Sequence, residues 1–532
     1  MSPLTGTGGL IRLILRRDRV ILPIWVFWMS VMPVFTTASF RELYPDESKL
    51  AAFAQTMTDN PSLTALYGPV YSPTVGGLVA WRMSLLIVVL GIISALVVIR
   101  HTRTEEEAGR RELIGATVIG RHAGMAAALI VTILADLVVG AVVALTMAAS
   151  DVPVAGSVAF GVQLAAFGIL FAAAAAFGAQ LTEGAGSARA ILLGAIGVTF
   201  VLRMVGNLSG EDGPLHWLVQ ASPLGWVQEL RAFADERWWV LAPVGGLAVV
   251  LIVVAVVLQG RRDIAAGLLP TRLGPANAAP GLRSPFALAW RLHRGLLLGW
   301  VIGFAVFGSL FGSLGETVND MLEESPELAQ IMAALGGANT LTDMLFGTLF
   351  GLMGLIASTY AIQAALRWRA EETNLRAEPV LATAVGRVSY ALSHIVFSLL
   401  GSGLAVMVGG LGAGIVQGTI AGDAGHWVPR LLGAAAIQLP AVWMLSALTV
   451  ALIGLAPNAS SLSWGALGAI FVISFFGPIL GLEQWVLDIS PFTHLPKLPG
   501  GEVTAAPLLW LGGVLVALLL AGLAGFRRRD VI

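Results

Sequence analysis

The amino-acid sequence predicts an all-α polytopic membrane protein with twelve transmembrane helices, arranged as two tandem six-helix repeats. Of the 532 residues, 57% are apolar and only 12% are charged, whereas soluble globular domains contain about 25% charged residues. The charges are segregated, so that long stretches carry none, and a bilayer span needs about 20 apolar residues. An internal duplication supplies the repeats. These features exclude a soluble enzyme, a disordered chain and a nucleic-acid-binding protein.

Twelve predominantly apolar segments result when the longest uncharged runs are divided at clusters of Gly, Pro and Asn. The first follows a basic stretch and begins like a signal peptide. Its apolar run is too long for a signal peptide and many spans follow it, so we interpret it as a transmembrane helix. The predicted spans lie near residues 20–40, 82–100, 123–148, 155–181, 190–207, 238–259, 295–315, 345–366, 389–416, 429–455, 460–482 and 505–526.

The basic residues are distributed unequally between the predicted loops. With the N-terminus inside, 23 of the 31 Lys and Arg residues fall on the cytoplasmic side, and 20 of the 32 Asp and Glu residues fall outside. An excess of Lys and Arg in cytoplasmic loops sets the orientation of membrane proteins, and the acidic count is softer support. The sequence therefore predicts that both termini are cytoplasmic.

A duplicated motif organises the chain. Residues 103–121 (RTEEEAGRRELIGATVIGR) and 369–387 (RAEETNLRAEPVLATAVGR) are identical at 9 of 19 positions without a gap. A nearly equal offset relates the sequence Arg-Arg-Asp at 261–263 to the same sequence at 528–530. We refer to the first pair of segments as the duplicated motif, which lies between the second and third span of each half. The recurrence predicts a tandem duplication of a six-span unit.

The duplication sets the predicted domain bounds. Residues 1–264 form the first repeat, residues 265–284 form a cytoplasmic linker rich in Pro, Gly and Ala, and residues 285–532 form the second repeat. Because each repeat has an even number of spans, the two are predicted to be parallel repeats. A basic, Leu-rich segment precedes the first span of each repeat (residues 10–19 and 286–294) and is predicted to lie along the inner membrane interface.

Several kinds of site are excluded by composition. The chain contains no cysteine, which removes disulfides, thiolate metal sites and cysteine nucleophiles. Its two lysines, Lys49 and Lys497, do not follow a glycine-rich turn, so ATP binding through a Walker A loop is excluded. We expect a non-catalytic protein with no cofactor or metal of its own, driven by a partner chain or by an ion gradient.

The duplicated motif is the strongest functional signal in the sequence. The spacing of Glu105 and Glu112 places them two turns apart if the segment is one helix, hence on one helix face. Such a mixed-charge helix favours docking onto a cytosolic protein; the alternative for a single copy is a solvated loop that only enforces topology. The acidic and basic residues retained at matching positions are Glu105 and Glu371, Glu106 and Glu372, Arg110 and Arg376, and Glu112 and Glu378.

The first copy resembles the coupling-helix region of ABC-2 type exporter permeases. The similarity rests on E-E-x-G-R-x-E-L at Glu106–Leu113, followed by A-T-x-x-G-R at residues 116–121. The outer segments 222–226 and 490–500, each with a Ser-Pro pair, resemble those of the fused twelve-span polyketide-antibiotic (tetronasin-like) exporter permeases of actinobacteria. The resemblance covers essentially the whole chain.

This resemblance implies two tandem ABC-2 type repeats in a bacterial plasma membrane. The chain would be the permease subunit of an ATP-binding-cassette exporter that moves hydrophobic or amphipathic drugs or antibiotics out of the cell. Two copies of a separate ATPase subunit, carrying ATP and Mg²⁺, would bind the two copies of the motif; no nucleic acid is expected as a partner. The implied ATPase-coupling residues are Arg103, Glu105, Glu106, Gly109, Arg110, Glu112, Glu371, Glu372, Arg376 and Glu378.

The second copy of the motif departs from the family pattern. A proline in this copy is expected to start or break a helix. We therefore hypothesise that the two docking surfaces are unequal and that the first copy couples more tightly. The three departures are Leu375 in place of Gly109, Ala377 in place of Arg111, and Pro379 in place of Leu113.

Asp136 is the one acidic residue deep within a predicted span. An intramembrane carboxylate costs about 2.5–3.5 kcal/mol on insertion scales and is a functional candidate. A proton relay through Asp136 would make the protein a proton-coupled twelve-span secondary drug carrier, which is the alternative function. A structural, hydrogen-bonded aspartate is favoured, because the spans offer no partner acid or base and the repeat counterpart is Ser402. A membrane scaffold or sensor without transport is a third class.

Other polar residues in the spans receive structural interpretations. His394 is interpreted as a packed or hydrogen-bonded histidine, and Arg82 and Arg203 as side chains that snorkel from outer span ends. The acidic outer loops, residues 41–79 and 316–343, are predicted to form short amphipathic helices.

Aromatic and methionine side chains cluster on predicted spans five, eight and eleven. Such residues are usually packing or lipid-facing positions. The family resemblance places substrate between the second and fifth spans of each repeat, where an aromatic cavity would suit an amphipathic ligand. On that basis the substrate-cavity candidates are Phe200, Met204, Phe350, Met353, Phe471, Phe475 and Phe476.

Overall fold

The computed structural model describes residues 2–263, 266–269, 276–279, 281–324, 338–476, 482–501 and 504–530. Side chains are described in these ranges except at positions 62, 114, 316–324, 338–341, 475 and 476. Part of the predicted linker and residues 325–337 of the predicted outer loop 316–343 therefore lie outside the described residues. The chain forms two compact units, Met1–Gly274 and Pro275–Ile532, which are described separately.

Eleven helical segments in the described part of the chain are long and apolar enough to cross a membrane. This confirms the all-α polytopic fold. The predicted eleventh span, near 460–482, corresponds to a helix of 15 residues, Leu462–Phe476, which is about 22 Å long at 1.5 Å per residue. A bilayer core is about 30 Å thick, so this helix alone is too short to span it, and residues 477–481 after it lie outside the described residues.

In the first unit, spans one to six are helices α2, α6, α9, α10, α11 and α14. Short helices precede span one, connect spans one and two, form the first copy of the motif, and precede span six. The helices are α1 (Thr7–Arg17), α2 (Ile21–Leu43), α3 (Glu47–Asp59), α4 (Pro61–Tyr67), α5 (Val75–Arg82), α6 (Ser84–His101), α7 (Arg103–Glu107), α8 (Arg110–Gly115), α9 (Ala123–Ala148), α10 (Val154–Leu181), α11 (Ala185–Leu208), α12 (Trp217–Ala221), α13 (Pro223–Gln228) and α14 (Leu241–Arg261).

In the second unit, spans seven to nine are α15, α16 and α18, span ten is made of α19 and α20, and span twelve is α23. The short helix described above is α21. The helices are α15 (Pro285–Glu324), α16 (Ala338–Thr373), α17 (Ala377–Leu381), α18 (Arg387–Ile420), α19 (Ala424–Ala436), α20 (Leu439–Leu455), α21 (Leu462–Phe476), α22 (Gln484–Leu487) and α23 (Ala505–Arg528).

The entry to the first span differs between the units. In the first unit a break separates α1 from α2, and Asp18 in this break is 3% exposed. Its carboxylate lies 2.5 Å from Nε2 of His101 and 2.9 Å from Nη2 of Arg100, both at the end of α6. A buried carboxylate is retained when it is paired and hydrogen-bonded, so these contacts hold the break against the end of span two.

In the second unit α15 is continuous over 40 residues. The prediction of a separate segment at 286–294 was therefore wrong for this unit. The side chain of His293 is 1% exposed and lies 3.1 Å from Nδ1 of His394 in α18. This pair packs the helix directly onto its neighbour, with no charged residue at the position to hold a break, and it agrees with the interpretation of His394 as a hydrogen-bonded histidine.

Glycine pairs allow close helix crossings in each unit. A Cβ atom on Gly140 of α9 would lie 2.5 Å from the carbonyl oxygen of Gly161 in α10, and one on Gly454 of α20 would lie 2.0 Å from that of Gly522 in α23. Helices in lipid associate through van der Waals packing at small residues, because lipid chains remove the hydrophobic driving force. These crossings fix span three against span four and span ten against span twelve.

The environment of Arg203 differs from the prediction that its side chain snorkels from an outer span end. Arg203 is 1% exposed, and its Nη2 donates to the carbonyl of Leu66 at 2.5 Å. Its Nη1 lies 3.3 Å from the carbonyl oxygen of Tyr67 and from Oε1 of Gln228. The last carbonyls of a helix have no partner within it, so Arg203 caps the C-terminal end of α4. The snorkelling interpretation was therefore wrong for Arg203, whereas Arg82 is exposed.

Candidate functional site

The first copy of the duplicated motif forms two short helices, not one. Helix α7 ends before and α8 begins after Gly109, which has a φ of +68°. Glycine adopts this left-handed conformation without a steric penalty. The prediction that Glu105 and Glu112 share one helix face was therefore wrong, because the left-handed residue interrupts the helix between them.

The second copy breaks at the same place. Leu375, which replaces Gly109, has a φ of +57° and separates α16 from α17. A left-handed conformation costs a residue with a Cβ atom about 1–2 kcal/mol. Pro379 lies in the first turn of α17, where proline is tolerated, which agrees with the expectation that it starts or breaks a helix. Both copies therefore keep the same backbone path despite their different sequences.

Glu106 is the centre of a buried ion cluster in the first unit. Its side chain is 3% exposed and accepts hydrogen bonds from Nη1 of Arg103 at 2.7 Å and from Nη2 of Arg262 at 2.8 Å. Arg111 also donates to this carboxylate. We call Arg103, Glu106, Arg111 and Arg262 the first anchor. Charge-assisted hydrogen bonds of this kind are about twice as strong as neutral ones.

The first anchor joins the motif to the ends of two spans. Nε of Arg103 donates to the carbonyl of Glu183, just after α10, at 2.6 Å. Arg262 follows the last residue of α14, and its Nε donates to Oε1 of Gln180 in α10 at 2.7 Å. The segment between spans two and three is therefore held to the ends of spans four and six.

The second unit contains a corresponding cluster. The side chain of Glu372 is fully buried and accepts hydrogen bonds from Nη1 of Arg369 at 2.9 Å and from Nη2 of Arg529 at 2.7 Å. We call Arg369, Glu372 and Arg529 the second anchor. It lacks a counterpart of Arg111, since that position is Ala377. The duplicated Arg-Glu pairs therefore form equivalent clusters, one with three arginines and one with two among the described residues.

A further arginine secures each span end. Nη2 of Arg121 donates to the carbonyl of Arg262 at 2.8 Å, and Nη1 of Arg387 donates to that of Arg529 at 2.7 Å. The sequence shows Arg262 and Arg529 as duplicated residues, but their role was missed. The signal in the sequence was that an arginine recurs directly after the last span of each repeat, at the span end that the motif contacts in the structure.

Beyond the anchors, the motif is exposed. In the first unit this exposed tip comprises residues 110–118, with the exception of Arg111 and of position 114; Arg110 and Glu112 face solvent, and Leu113 and Val118 are 75% and 61% exposed. In the second unit the exposed tip comprises residues 375–384, with the exception of Ala377 and of half-buried positions 380 and 381. Both tips combine charged residues with a large exposed apolar side chain, Leu113 or Leu375.

The remaining glutamates lie between anchor and tip. Glu105 is half-buried and accepts hydrogen bonds from Arg17 of α1 and from Nε of Arg110, the latter at 2.7 Å. Glu371 is 6% exposed and lies 3.1 Å from Nε of Arg367. The predicted coupling residues therefore divide into buried positions, which hold the motif in place, and exposed positions, which are available to a partner.

Asp136 lies at a crossing of three helices in the first unit. It is fully buried, and its Oδ1 accepts a hydrogen bond from Oγ of Ser94 in α6 at 2.7 Å. A Cβ atom at Gly168 of α10 would lie 2.7 Å from the carboxyl carbon of Asp136. The side chain therefore fills the space that glycine leaves, which favours the structural interpretation over a proton relay.

Asparagine at position 136 is expected to preserve transport. The Asn side chain has the same shape, retains an acceptor for Ser94 and removes the cost of an intramembrane carboxylate, about 2.5–3.5 kcal/mol. Efflux of a lipophilic dye from proteoliposomes, with and without a proton gradient, measures this for Asp136→Asn. Dependence of wild-type transport on the gradient, lost in Asp136→Asn, would contradict this expectation and favour a proton-coupled carrier.

The substrate-cavity candidates are divided between the two units. Phe200 and Met204 are half-buried in α11, and the guanidinium of Arg203 lies 5.1 Å from the ring centroid of Phe200. Phe350 and Met353 are buried in the apolar core of the second unit. Phe471 is 39% exposed, and the side chains of Phe475 and Phe476 lie outside the described residues. Their assignment to a cavity stays a prediction.

The described side chains show no group suited to a metal ion, that is, no cluster of three or more His, Asp or Glu residues.

Two comparisons with known proteins bear on function. Residues 9–258 and 282–527 match the family model described as the C-terminal domain of the multidrug efflux system permease Rv1217c. The chain is also 43% identical, over all 532 residues, to the multidrug efflux system permease protein Rv1217c of Mycobacterium tuberculosis (strain ATCC 25618 / H37Rv), and the match covers 96% of that protein.

Proposed function

Because the chain belongs to the family of multidrug efflux system permeases, we propose that it is the membrane-spanning part of an ATP-binding-cassette exporter driven by a separate ATPase subunit. It is a multi-pass membrane protein and the non-catalytic permease component of an efflux transporter. We also propose that it is an ABC-2 type permease of the tetronasin-like subgroup. Its chain consists of two repeats, and both termini are cytoplasmic.

The observation that carries the proposal is the pairing of an exposed tip with a buried anchor in each unit. An ATPase that binds the tip does work on the spans only if the tip moves as a rigid extension of them. Removing one partner from a buried ion pair costs about 3–5 kcal/mol, because the remaining charge is left buried without compensation. Separating the tip from the spans is therefore costly, so a force applied to the tip moves the span ends through the anchor.

The proposed route of transmission runs through Glu106 in the first unit. Movement of α8 displaces Glu106 of α7, because Arg111 of α8 donates to its carboxylate. Glu106 then pulls on Arg262 at the end of span six. Through Arg103 it also pulls on the carbonyl of Glu183, just after span four. In the second unit the corresponding path runs from Glu372 to Arg529 at the end of span twelve. Each tip thus controls the ends of several spans at once, which suits a change of access to a transport pathway.

The proposed partners follow from this arrangement. Two copies of the ATPase subunit bind, one at each exposed tip, and they carry the ATP and Mg²⁺ of the complex. The cargo is a hydrophobic or amphipathic drug or antibiotic, moved outward across a bacterial plasma membrane. The Mycobacterium tuberculosis relative is a multidrug efflux system permease, which supports this cargo class.

Reconstitution with its ATPase tests the proposal. A candidate ABC ATPase subunit, purified and added with ATP to proteoliposomes that contain the permease, is expected to drive transport of a lipophilic fluorescent dye. Charge reversal in the exposed tip, Glu112→Arg, is expected to weaken ATPase binding and to abolish dye-stimulated ATP hydrolysis, because like charges then meet at the interface.

The matched control is Glu47→Arg, which reverses a charge on the exposed outer helix α3. This variant is expected to transport as the wild type does. Dye transport by the permease alone, without any ATPase, would overturn the proposal. Equal effects of Glu112→Arg and Glu47→Arg would show that the tip does not bind the ATPase.

A further inference from the structure

A cavity of about 470 Å³ lies beside the first anchor. It is enclosed by α1, by the end of α8 and the residues after it, by the start of α9 and by the end of α14. Leu10, Leu13, Ile14 and Ile119 give it an apolar wall. Its volume is within the range of small-molecule sites, roughly 300–1,000 Å³. The cavity therefore has room for a ligand of lipid-headgroup or drug size.

The polar wall carries an excess of positive charge. Four arginines and three carboxylates line it, together with His101 and Gln259, which leaves one formal positive charge in excess. The charged lining residues are Arg17, Arg111, Arg121, Arg262, Glu105, Glu106 and Asp263.

Two of these arginines have donors to spare. Arg17 uses Nη1 for Glu105, and Arg121 uses Nε and Nη2 for the carbonyls of Gln259 and Arg262 at 3.1 and 2.8 Å. Within the described part of the chain, Nε and Nη2 of Arg17 and Nη1 of Arg121 have no hydrogen-bond acceptor. Guanidinium donors in this state bind phosphate oxygens through charge-assisted hydrogen bonds.

The environment of Arg111 also favours an anion. Burial lowers the pKa of Arg111, and repulsion from Arg262 adds to this effect, although Glu106 opposes it. A group whose charged form is disfavoured by desolvation is stabilised when an additional opposite charge approaches. A cationic or neutral ligand would not supply this compensation.

The apolar wall continues onto the outside of the protein through α1. Ile14 packs against Ala127 and Val131 of α9, while Leu13 and Leu15 are 51% and 46% exposed. A helix with an apolar face and several arginines lies in the plane of the bilayer interface. The open side of the cavity therefore borders lipid chains.

We propose that this cavity is a binding site for an anionic phospholipid. The phosphate binds Arg17 and Arg121, and the acyl chains follow Leu10 and Leu13 out into the bilayer. The site is specific to the first unit, because α15 has no break that would separate an interfacial helix. A bound lipid would brace α1 against the first anchor, and its binding does not depend on the ATPase.

Lipid binding to the purified full chain tests the proposal. Native mass spectrometry is expected to show dioleoyl phosphatidylglycerol retained in preference to dioleoyl phosphatidylcholine. Arg17→Gln is expected to weaken phosphatidylglycerol binding about tenfold, as the loss of one charge-assisted contact does. Arg12→Gln is the matched control: it removes an exposed charge from the same helix that does not line the cavity, and it is expected to leave binding unchanged.

A second variant blocks the cavity without removing a charge. Gly115 lines the cavity, and a Cβ atom there meets nothing within 4 Å, so Gly115→Leu is expected to fold normally and to reduce phosphatidylglycerol binding. Equal loss of binding in Arg12→Gln and Arg17→Gln would overturn the site in favour of nonspecific attraction. Equal binding of phosphatidylcholine would overturn it too. Displacement of the lipid by glycerol 3-phosphate alone would reduce the site to one for a free phosphate.

Discussion

Replacement of Glu106 by glutamine is expected to abolish transport and to lower the stability of the first unit by about 3–5 kcal/mol, the cost of breaking a buried ion pair. Glutamine keeps the shape of the side chain but leaves Arg103, Arg111 and Arg262 without their shared carboxylate. Thermal unfolding in detergent and dye transport in proteoliposomes measure the two effects. The double variant Glu106→Gln, Arg262→Gln is expected to lose less than the sum of the single variants, because one uncompensated charge is then removed.

The equivalent change in the second anchor supplies the comparison. Glu372→Gln leaves two half-buried arginines without their carboxylate, whereas Glu106→Gln leaves three, of which Arg103 and Arg262 are buried, so the effects of Glu372→Gln on stability and transport are expected to be smaller. Comparing the two variants therefore tests the hypothesis that the first copy of the motif couples more tightly than the second. Glu112→Gln in the exposed tip is the control for stability and is expected to unfold as the wild type does. Equal losses in Glu106→Gln and Glu372→Gln would contradict the hypothesis.

Removal of the buried guanidinium in Arg203→Met is the second large effect expected. Methionine fills similar space but donates no hydrogen bond, so the terminal carbonyls of α4 lose their partner. Each buried carbonyl left without a donor costs about 1–3 kcal/mol. We expect a lower unfolding temperature and faster proteolysis between α3 and α5, measured on the purified chain.

Arg82→Gln is the matched control for that variant. Arg82 and Arg203 both contact Tyr67, but Arg82 is exposed, and its Nη1 lies 3.3 Å from the Tyr67 hydroxyl. Exposed polar contacts contribute little to stability, so this variant is expected to differ from the wild type by about 0.5 kcal/mol or less. A loss in Arg82→Gln as large as in Arg203→Met would show that burial does not set the importance of these arginines.

The two copies of the motif share the Arg-Glu pair of the anchor and differ at several exposed positions. The buried pairs, Arg103 with Glu106 and Arg369 with Glu372, are retained, because each buried charge requires its partner. The exposed positions 113 and 379 carry a leucine and a proline, so the two tips present different surfaces. The anchors therefore share their Arg-Glu pair but differ at Arg111 and Ala377, and the tips share two charged positions but differ in their apolar surface.

The sequence predicted the spans well for a simple physical reason. Backbone polar groups must be satisfied within each segment in lipid, so a long apolar run has to be a helix. Of the predicted eleventh span the structure describes the helix Leu462–Phe476, and residues 477–481 after it lie outside the described residues.

The motif shows where prediction from sequence stopped. The duplication located Glu105, Glu106 and their counterparts, and the family resemblance supplied a role for them. Spacing along the chain assigned Glu105 and Glu112 to one helix, and the left-handed Gly109 separates them. Arg262, one partner of Glu106, is 156 residues away in the sequence, so no local pattern identified this ion pair.

By itself, the sequence determined that this protein is a helical membrane protein with two copies of one charged motif. It did so because hydropathy and repetition are properties of consecutive residues. Only the tertiary structure decided which of the charges are buried and which are exposed, and therefore that Arg203 caps a helix, that Glu106 and Glu372 are anchors, and that the tips are free to bind a partner. Burial and ion pairing depend on residues that are distant in sequence and meet only when the helices pack.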